Sequence, residues 1–199
     1  MSGRIRLSYY TSSEYVMVTY SGTLVESRII IWDIEDSRSI FSLGYYGKPL
    51  GIYKPKGIDF DTPLILDLIE GCYLVGSRLL TVNKVNGEKI ILKELKEICR
   101  KQYVDFDIKY LVFKKLRDVG YVVSPGIKFG CDFAVYEHGP GIDHAPYLVQ
   151  VVDSQQDITA TGIVLAGRLA TTVKKQFILA ITSIKPRRVY FLSFDWWRA

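Results

Sequence analysis

The sequence predicts an α/β chain of mixed α+β type, with a small α+β unit over residues 1–100 and a mixed sheet flanked by helices over residues 101–199. Three observations carry this. Short runs rich in branched and aromatic residues recur along both halves, as strands require. Between them lie segments whose apolar residues repeat every three or four positions, the period of an amphipathic helix. Composition shifts gently near residue 100, and the order helix, strands, helix, strands beyond it describes a compact mixed sheet with helical cover.

The elements follow in order. "YVMVTY" (15–20) and "RIIIWDI" (28–34) read as strands, and "EDSRSIFSLGYYG" as a short capped helix ended by Gly44. "GKPLGIYKPKGIDFD" is broken by glycines and prolines and is predicted to be a loop, decorated by Lys48, Lys54 and Lys56. "DTPLILDLIEGCYLV" offers Asp61 or Thr62 as N-cap with Pro63 at the first helical position, which predicts a helix starting there. "LLTVNKVNGEKI" predicts a hairpin turning at Asn86-Gly87, and "LKELKEICRKQ" a helix. In "QYVDFDIKYLVFKKLRDVGYVV", Tyr103, Phe106, Tyr110 and Phe113 fall at helical spacing, with Gly120 as the stop. "YVV", "KF", "CDFAVY" and "YLVQVV" then read as strands. A helix over about Thr161 to Lys175 follows, and "FILAITSI" and "RRVYFLSF" close the sheet.

Composition narrows the function classes. Hydrophobic residues make up 48% and charged residues 24%, a globular balance far from disorder. No apolar run approaches the ~20 residues that span a bilayer. The three cysteines, Cys72, Cys99 and Cys131, lack metal-ligand spacing, and with two histidines the expectation is no metal and no cofactor. An odd cysteine count without a signal peptide points to a reducing, cytoplasmic setting. The net charge of +5 permits nucleic-acid binding without demanding it. Its distribution says more: residues 174–199 hold Lys174, Lys175, Lys185, Arg187, Arg188 and Arg198 against Asp195 alone, with Tyr190, Phe191, Phe194, Trp196 and Trp197 interleaved. Cations among stackable rings lean toward nucleic acid.

Both histidines, His138 and His144, fall in the Gly/Pro-broken loop of "GCDFAVYEHGPGIDHAPYLVQVV". At 100° per residue the helix near 161–175 places Leu165, Ala166, Leu169, Ala170 and Val173 on an apolar side, and Arg168, Thr171, Thr172 and Lys175 on the other. Taken singly, a strand-end tyrosine is a core or interface residue, a loop histidine is exposed, and a lysine at a helix C-terminus answers the dipole. Together, inside their flanking sequence, they resemble something more specific. "FAVY", "HAPYLV" and "RLATTVKKQFILAI", with "LRDVGYVVSPGIKFGCDFAVY" before them and "GYYGKPL" in the first half, resemble the archaeal tRNA-splicing endonucleases, the tRNA-intron lyases.

That resemblance implies Tyr136, His144 and Lys175 as catalytic residues and residues 101–199 as the catalytic, nuclease-like domain. It implies cleavage of intron-bearing precursor tRNA within a bulge–helix–bulge, leaving 2′,3′-cyclic phosphate and 5′-hydroxyl ends without a metal. The chemistry suits the side chains. In-line attack by a 2′-hydroxyl needs a base, an acid for the leaving oxygen, and a cation for the charged transition state. An imidazole, whose free form titrates at about 6.5, suits the acid, and a lysine the electrostatic role. A phenol, at about 10, is a poor base unless cations depress it, so Tyr136 either accepts the proton or only orients the hydroxyl. His138 has no counterpart in the resemblance. The arginine at the place of Arg168 helps in the family to sandwich a bulged base; a surface salt bridge is the equal alternative. Lys54 and Lys56 are candidate RNA contacts in a recognition arm. Trp196 and Arg198 offer stacking or a subunit contact.

Two departures from the family pattern stand out, the second bearing on assembly. Ala134 stands where the family often has an arginine or another polar residue. "SIKPRRVYF" is basic where self-sufficient members carry an acidic loop that plugs into a neighbour, and like charges across such a contact repel. With the extra lysine-bearing loop, this implies an (αβ)2 heterotetramer in which a second, structural subunit supplies the acidic loop. The rival readings are a non-catalytic subunit of the same enzyme, a metal-dependent nuclease using Asp132 or Asp143 (with Gln150 where an acid is wanted), and a plain RNA-binding module.

Overall fold

The computed structural model describes residues 19–52, 55, 57–142 and 144–194. The chain is of mixed α+β class, built on two sheets. In the first half β1 (Tyr20–Val25) and β2 (Arg28–Ile31) form a hairpin, followed by α1 (Ile34–Ser42), β3 (Lys48–Pro49), β4 (Leu64–Asp67), α2 (Leu68–Gly76), β5 (Leu80–Asn83), β6 (Lys89–Ile90) and α3 (Leu92–Gln102). The strand order is β3-β4-β2-β1-β5-β6. In the second half come α4 (Phe106–Asp118), β7 (Val122–Pro125), β8 (Phe133–Tyr136), β9 (Tyr147–Asp153), α5 (Ala160–Thr172), β10 (Gln176–Ile184) and β11 (Arg187–Ser193), with the order β11-β10-β9-β8-β7.

The second sheet is antiparallel except at its centre, where β9 and β10 run parallel. Parallel neighbours need a crossover, and α5 supplies it. Period-2 alternation then sorts the side chains. Phe133 and Val135 of β8, Val149 and Val151 of β9, and Ala180 of β10 join the core that includes α4 and the first half of the chain. Ala134, Leu148, Val152, Phe177 and Leu179 face the other way, beneath α5.

One continuous apolar core joins the two sheets through α2 and α4. At the join sits Arg117, whose side chain is 2% exposed. Its guanidinium donates to the carbonyls of Gly44, at 2.6 Å, and Val123, at 3.0 Å, lies over the Tyr46 ring, and stands 4.0 Å from Glu70. Within the first half, the buried Ser37 hydroxyl donates to the Ile31 and Asp33 carbonyls and accepts from Leu64 N–H, tying α1 to β2 and β4.

Local expectations fare unevenly. The Asn86-Gly87 hairpin and the helices at α1 and α3 form as expected. The helix expected from Asp61 or Thr62 does not start there. Leu64 to Asp67 is a strand whose Leu64 and Leu66 are buried in pairing with β2, and α2 begins only after Asp67. The real start signal is a capping box: Asp67 accepts from Ile69 N–H, and Glu70 reaches back to Asp67 N–H at 2.9 Å. Period-2 burial outweighed the Pro63 cue. The helix expected from about residue 102 starts later: α3 runs to Gln102 with Tyr103 as its C-cap, Asp105 adopts φ 58°, and α4 begins at Phe106. "KF" is no strand but part of a single 3₁₀ turn, Ile127–Phe129. Of "YVMVTY", only Thr19 and Tyr20 lie within the described residues, and Tyr20 opens β1.

Candidate active site

Strand pairing alone assembles the site. The register of β9 with β10 sets Tyr147 beside Gln176, so the residues leading into both strands lie at one end of the sheet. β8 runs antiparallel to β9 with Val135 opposite Tyr147, so Tyr136 leaves β8 at that same end. Residues distant in sequence meet there: Tyr136, the His144-Ala145 lead into β9, and Lys175 just before β10. Gln176 N–H donates to the Pro146 carbonyl at 2.8 Å and closes the two lead-ins together. Lys175 Nζ then donates to the Ala145 carbonyl at 2.5 Å, next to His144 in the chain.

Lys175 is not delivered as the helical wheel predicts. α5 stops at Thr172, so Arg168 and Lys175 do not share a helical stripe. The chain turns at Lys174, which takes φ 54°, with Lys174 N–H donating to the Thr171 carbonyl at 3.0 Å and Lys175 N–H to the Ala170 carbonyl at 2.8 Å. This is a Schellman stop, with a lysine in the left-handed position where glycine is usual. Below it, Phe129 presents its ring 5.4 Å from Lys175 Nζ and 4.9 Å from Lys128 Nζ. Two glycines hold that ring in place: Gly130 caps the 3₁₀ turn at φ 68°, and a side chain at Gly126 would collide with Cys131. "PGIKFG" is thus a device for placing Phe129 under the candidate cation.

Tyr136 is half-buried and packs on the apolar cluster beneath α5 that contains Ala145 and Phe177. The next residue, Glu137, accepts a hydrogen bond from the Tyr147 hydroxyl at 2.9 Å, pinning the segment after β8 to the start of β9. That bond, with some burial, raises the Tyr147 phenol above its ordinary value. His144 is exposed at the lead into β9, and His138 is exposed in the loop after β8. Asp132 serves the fold. One carboxylate oxygen pairs with Lys109 Nζ of α4 at 2.9 Å, and the other accepts from Gln150 and from Val151 N–H. Among the described residues no three His, Cys, Asp or Glu side chains gather so as to hold a metal ion. Burial pushes the Cys131 thiol up to about 11.

Arg168 is exposed on α5 and makes no ion pair among the described residues, so the salt-bridge alternative has no partner there. The apolar side expected for α5 is only partly covered. Ala170 is buried, but Leu165 is 61% and Leu169 43% exposed. Period reveals which residues share a face, not whether anything covers it. A groove of about 360 Å³ runs along this helix to Lys175, lined by Ile163, Val164, Thr171, Phe177 and Phe194. Lys54, Lys56, Asp143, Trp196 and Arg198 lie outside the described residues. Reading single residues missed Phe129, Ala145 and Glu137. Phe129 had a signal in its two flanking glycines; Ala145 had none, because it contributes a carbonyl.

Comparison with known proteins identifies the family. The family model described as tRNA intron endonuclease, N-terminal domain, matches residues 20–96, and the one described as tRNA intron endonuclease, catalytic C-terminal domain, matches residues 106–188. The chain is 43% identical over 173 residues to a tRNA-splicing endonuclease of Hyperthermus butylicus, covering 87% of this chain and 96% of the relative. To that of Sulfurisphaera tokodaii it is 44% identical over 176 residues, covering 88% and 97%. To that of Saccharolobus solfataricus it is 41% identical over 174 residues, covering 87% and 96%. With both family models matched in order and the relatives spanned almost end to end, the chain belongs to the tRNA intron endonuclease family.

Proposed function

We propose that this chain is the catalytic subunit of a cytoplasmic tRNA-splicing endonuclease that cuts intron-bearing precursor tRNA at a bulge–helix–bulge. Residues 1–100 form the supporting domain and residues 101–199 the catalytic one. The observation that carries the reading is the Lys175–Ala145 hydrogen bond at the sheet end where Tyr136 leaves β8. It sets a cation beside the chain segment of the only exposed imidazole on that lead-in, with a phenol from the neighbouring strand. Tyr136 takes or orients the 2′-hydroxyl proton, His144 protonates the leaving 5′-oxygen, and Lys175 stabilises the charge that builds on the phosphate. The products are a 2′,3′-cyclic phosphate and a 5′-hydroxyl, and no metal takes part. Arg168, exposed on α5, is free to lay its guanidinium against an unpaired base. Lys54, Lys56, Trp196 and Arg198 belong to the same proposal as further RNA contacts.

Assembly with a second, acidic-looped structural subunit into an (αβ)2 heterotetramer completes the reading. The turn between β10 and β11 exposes Lys185, and β11, an edge strand of its sheet, exposes Arg187, Arg188, Tyr190, Phe191 and Leu192. Both features favour a partner over a solvated surface. The test is incubation of the chain with a bulge–helix–bulge RNA in EDTA, with and without that subunit, followed by analysis of the product ends. Cyclic-phosphate and 5′-hydroxyl ends appearing only with the partner are expected. Cutting by the chain alone retains the chemistry and overturns the assembly. Cutting only after magnesium is restored overturns the roles of Tyr136, His144 and Lys175.

A further inference from the structure

Cys72 and Cys99 are 27 positions apart in sequence, yet their sulfurs stand 3.2 Å from one another in the first-half core. Both are free thiols, and neither side chain has any exposed surface. A covalent S–S bond is about 2.0 Å, so the two sulfurs lie within roughly 1 Å of bonding distance. The third cysteine, Cys131, belongs to the second sheet, where its thiol faces the Gly126 and Phe133 carbonyls. Cys72 sits on α2 and Cys99 on the last turn of α3. The place matters, because α3 is thinly anchored: of its eleven residues only Leu95 and Cys99 are buried. It also leads directly into α4 and hence into the second sheet.

We infer that Cys72 and Cys99 are a disulfide-forming pair, which clamps α3 onto α2 beside the junction of the two halves. The chemistry is thiol–disulfide exchange with a small disulfide, RSSR, as oxidant. One cysteine thiolate attacks RSSR, forms a mixed disulfide and releases RS⁻. The second thiolate displaces the remaining RS⁻. The two cysteines are oxidised, RSSR is reduced to two RSH, and the two cysteine protons end on the released thiolates. Timing follows from burial. In the closed fold, the mutual hydrogen bond and burial push the Cys72 thiol far up, so it resists oxidation. While α3 is still open, both thiols are within reach of RSSR. The bond therefore forms as α3 docks, not afterwards.

The test starts from the full chain, unfolded with a reductant and refolded either in a reduced/oxidised glutathione mixture or in excess dithiothreitol. Remaining thiols are alkylated under denaturing conditions, and intact mass and peptide mapping are recorded. After glutathione refolding, a single alkylated cysteine (Cys131) and a linked Cys72–Cys99 peptide pair are expected. The melting temperature should exceed that of the dithiothreitol sample by roughly 10 °C, the gain for closing a loop of this length in a chain of this size. Three alkylated cysteines in the glutathione sample, or a cross-link that includes Cys131, overturns the inference. A Cys72→Ala/Cys99→Ala variant should melt at one temperature in both buffers; the mass result on the unsubstituted chain decides the matter even if that variant fails to fold.

Discussion

The Ala145 carbonyl and the Phe129 ring hold the Lys175 ammonium group. Replacing Lys175 with alanine removes the one cation that the proposed mechanism places at the phosphate. Cleavage should fall by about 10²–10³-fold in kcat, with little change in KM, as single-turnover assays will show. Phe129→Leu keeps the packing but removes the ring face; a smaller loss, again in kcat, is expected. Arg117 belongs to stability instead. It is buried, it satisfies two carbonyls from different halves of the chain, and it faces Glu70. Arg117→Ala leaves those two carbonyls without their donor and removes the cation facing the buried Glu70 carboxyl, and should cost about 3–5 kcal/mol in denaturant unfolding.

At the scale of elements, the stops and starts of α5 and α2 make separate predictions. Lys174 holds a left-handed conformation that penalises any Cβ, and Lys174→Gly should stabilise the chain by about 0.5–1 kcal/mol in thermal unfolding. The same turn delivers Lys175, so cleavage by this variant should remain within a few-fold of the unsubstituted chain. Asp67 caps α2 and also accepts the Tyr103 hydroxyl at the end of α3. Asp67→Ala should therefore cost about 1–2 kcal/mol. These two elements also show what local reading can see. The Asn86-Gly87 turn and the periodic run of α3 are complete in a dozen residues. The β4–α2 boundary is not, because Leu64 and Leu66 become strand residues only when β2 lies alongside to pair with them.

For the molecule as a whole, pH should act on the joint between the sheets. Burial, then the nearby Asp67, raises the Glu70 carboxyl above its ordinary 4.5, while Arg117 and two backbone N–H donors oppose the rise. A raised pKa in the fold means that the folded state binds the proton more tightly than the unfolded chain does. The contribution of Glu70 is thus fully present below pH 4.5 and is lost as pH climbs through the raised folded value. The difference in unfolding free energy between the unsubstituted chain and Glu70→Gln should accordingly shrink with rising pH. A difference that grows with pH would reverse the assignment.

The amino-acid sequence by itself determined the mixed α+β class, most element types, and the order of Tyr136, His144 and Lys175 within recognisable flanking runs. These rest on short-range physics: side-chain period, turn chemistry and capping, each complete within a few residues. Tertiary structure decided what touches what. Strand register brings Lys175 to the Ala145 carbonyl, α5 leaves Leu165 and Leu169 uncovered, and α3 carries Cys99 to Cys72. No local pattern encodes such meetings, since each depends on how separate elements pair and pack, and the carbonyl that holds Lys175 belongs to a backbone that every residue shares.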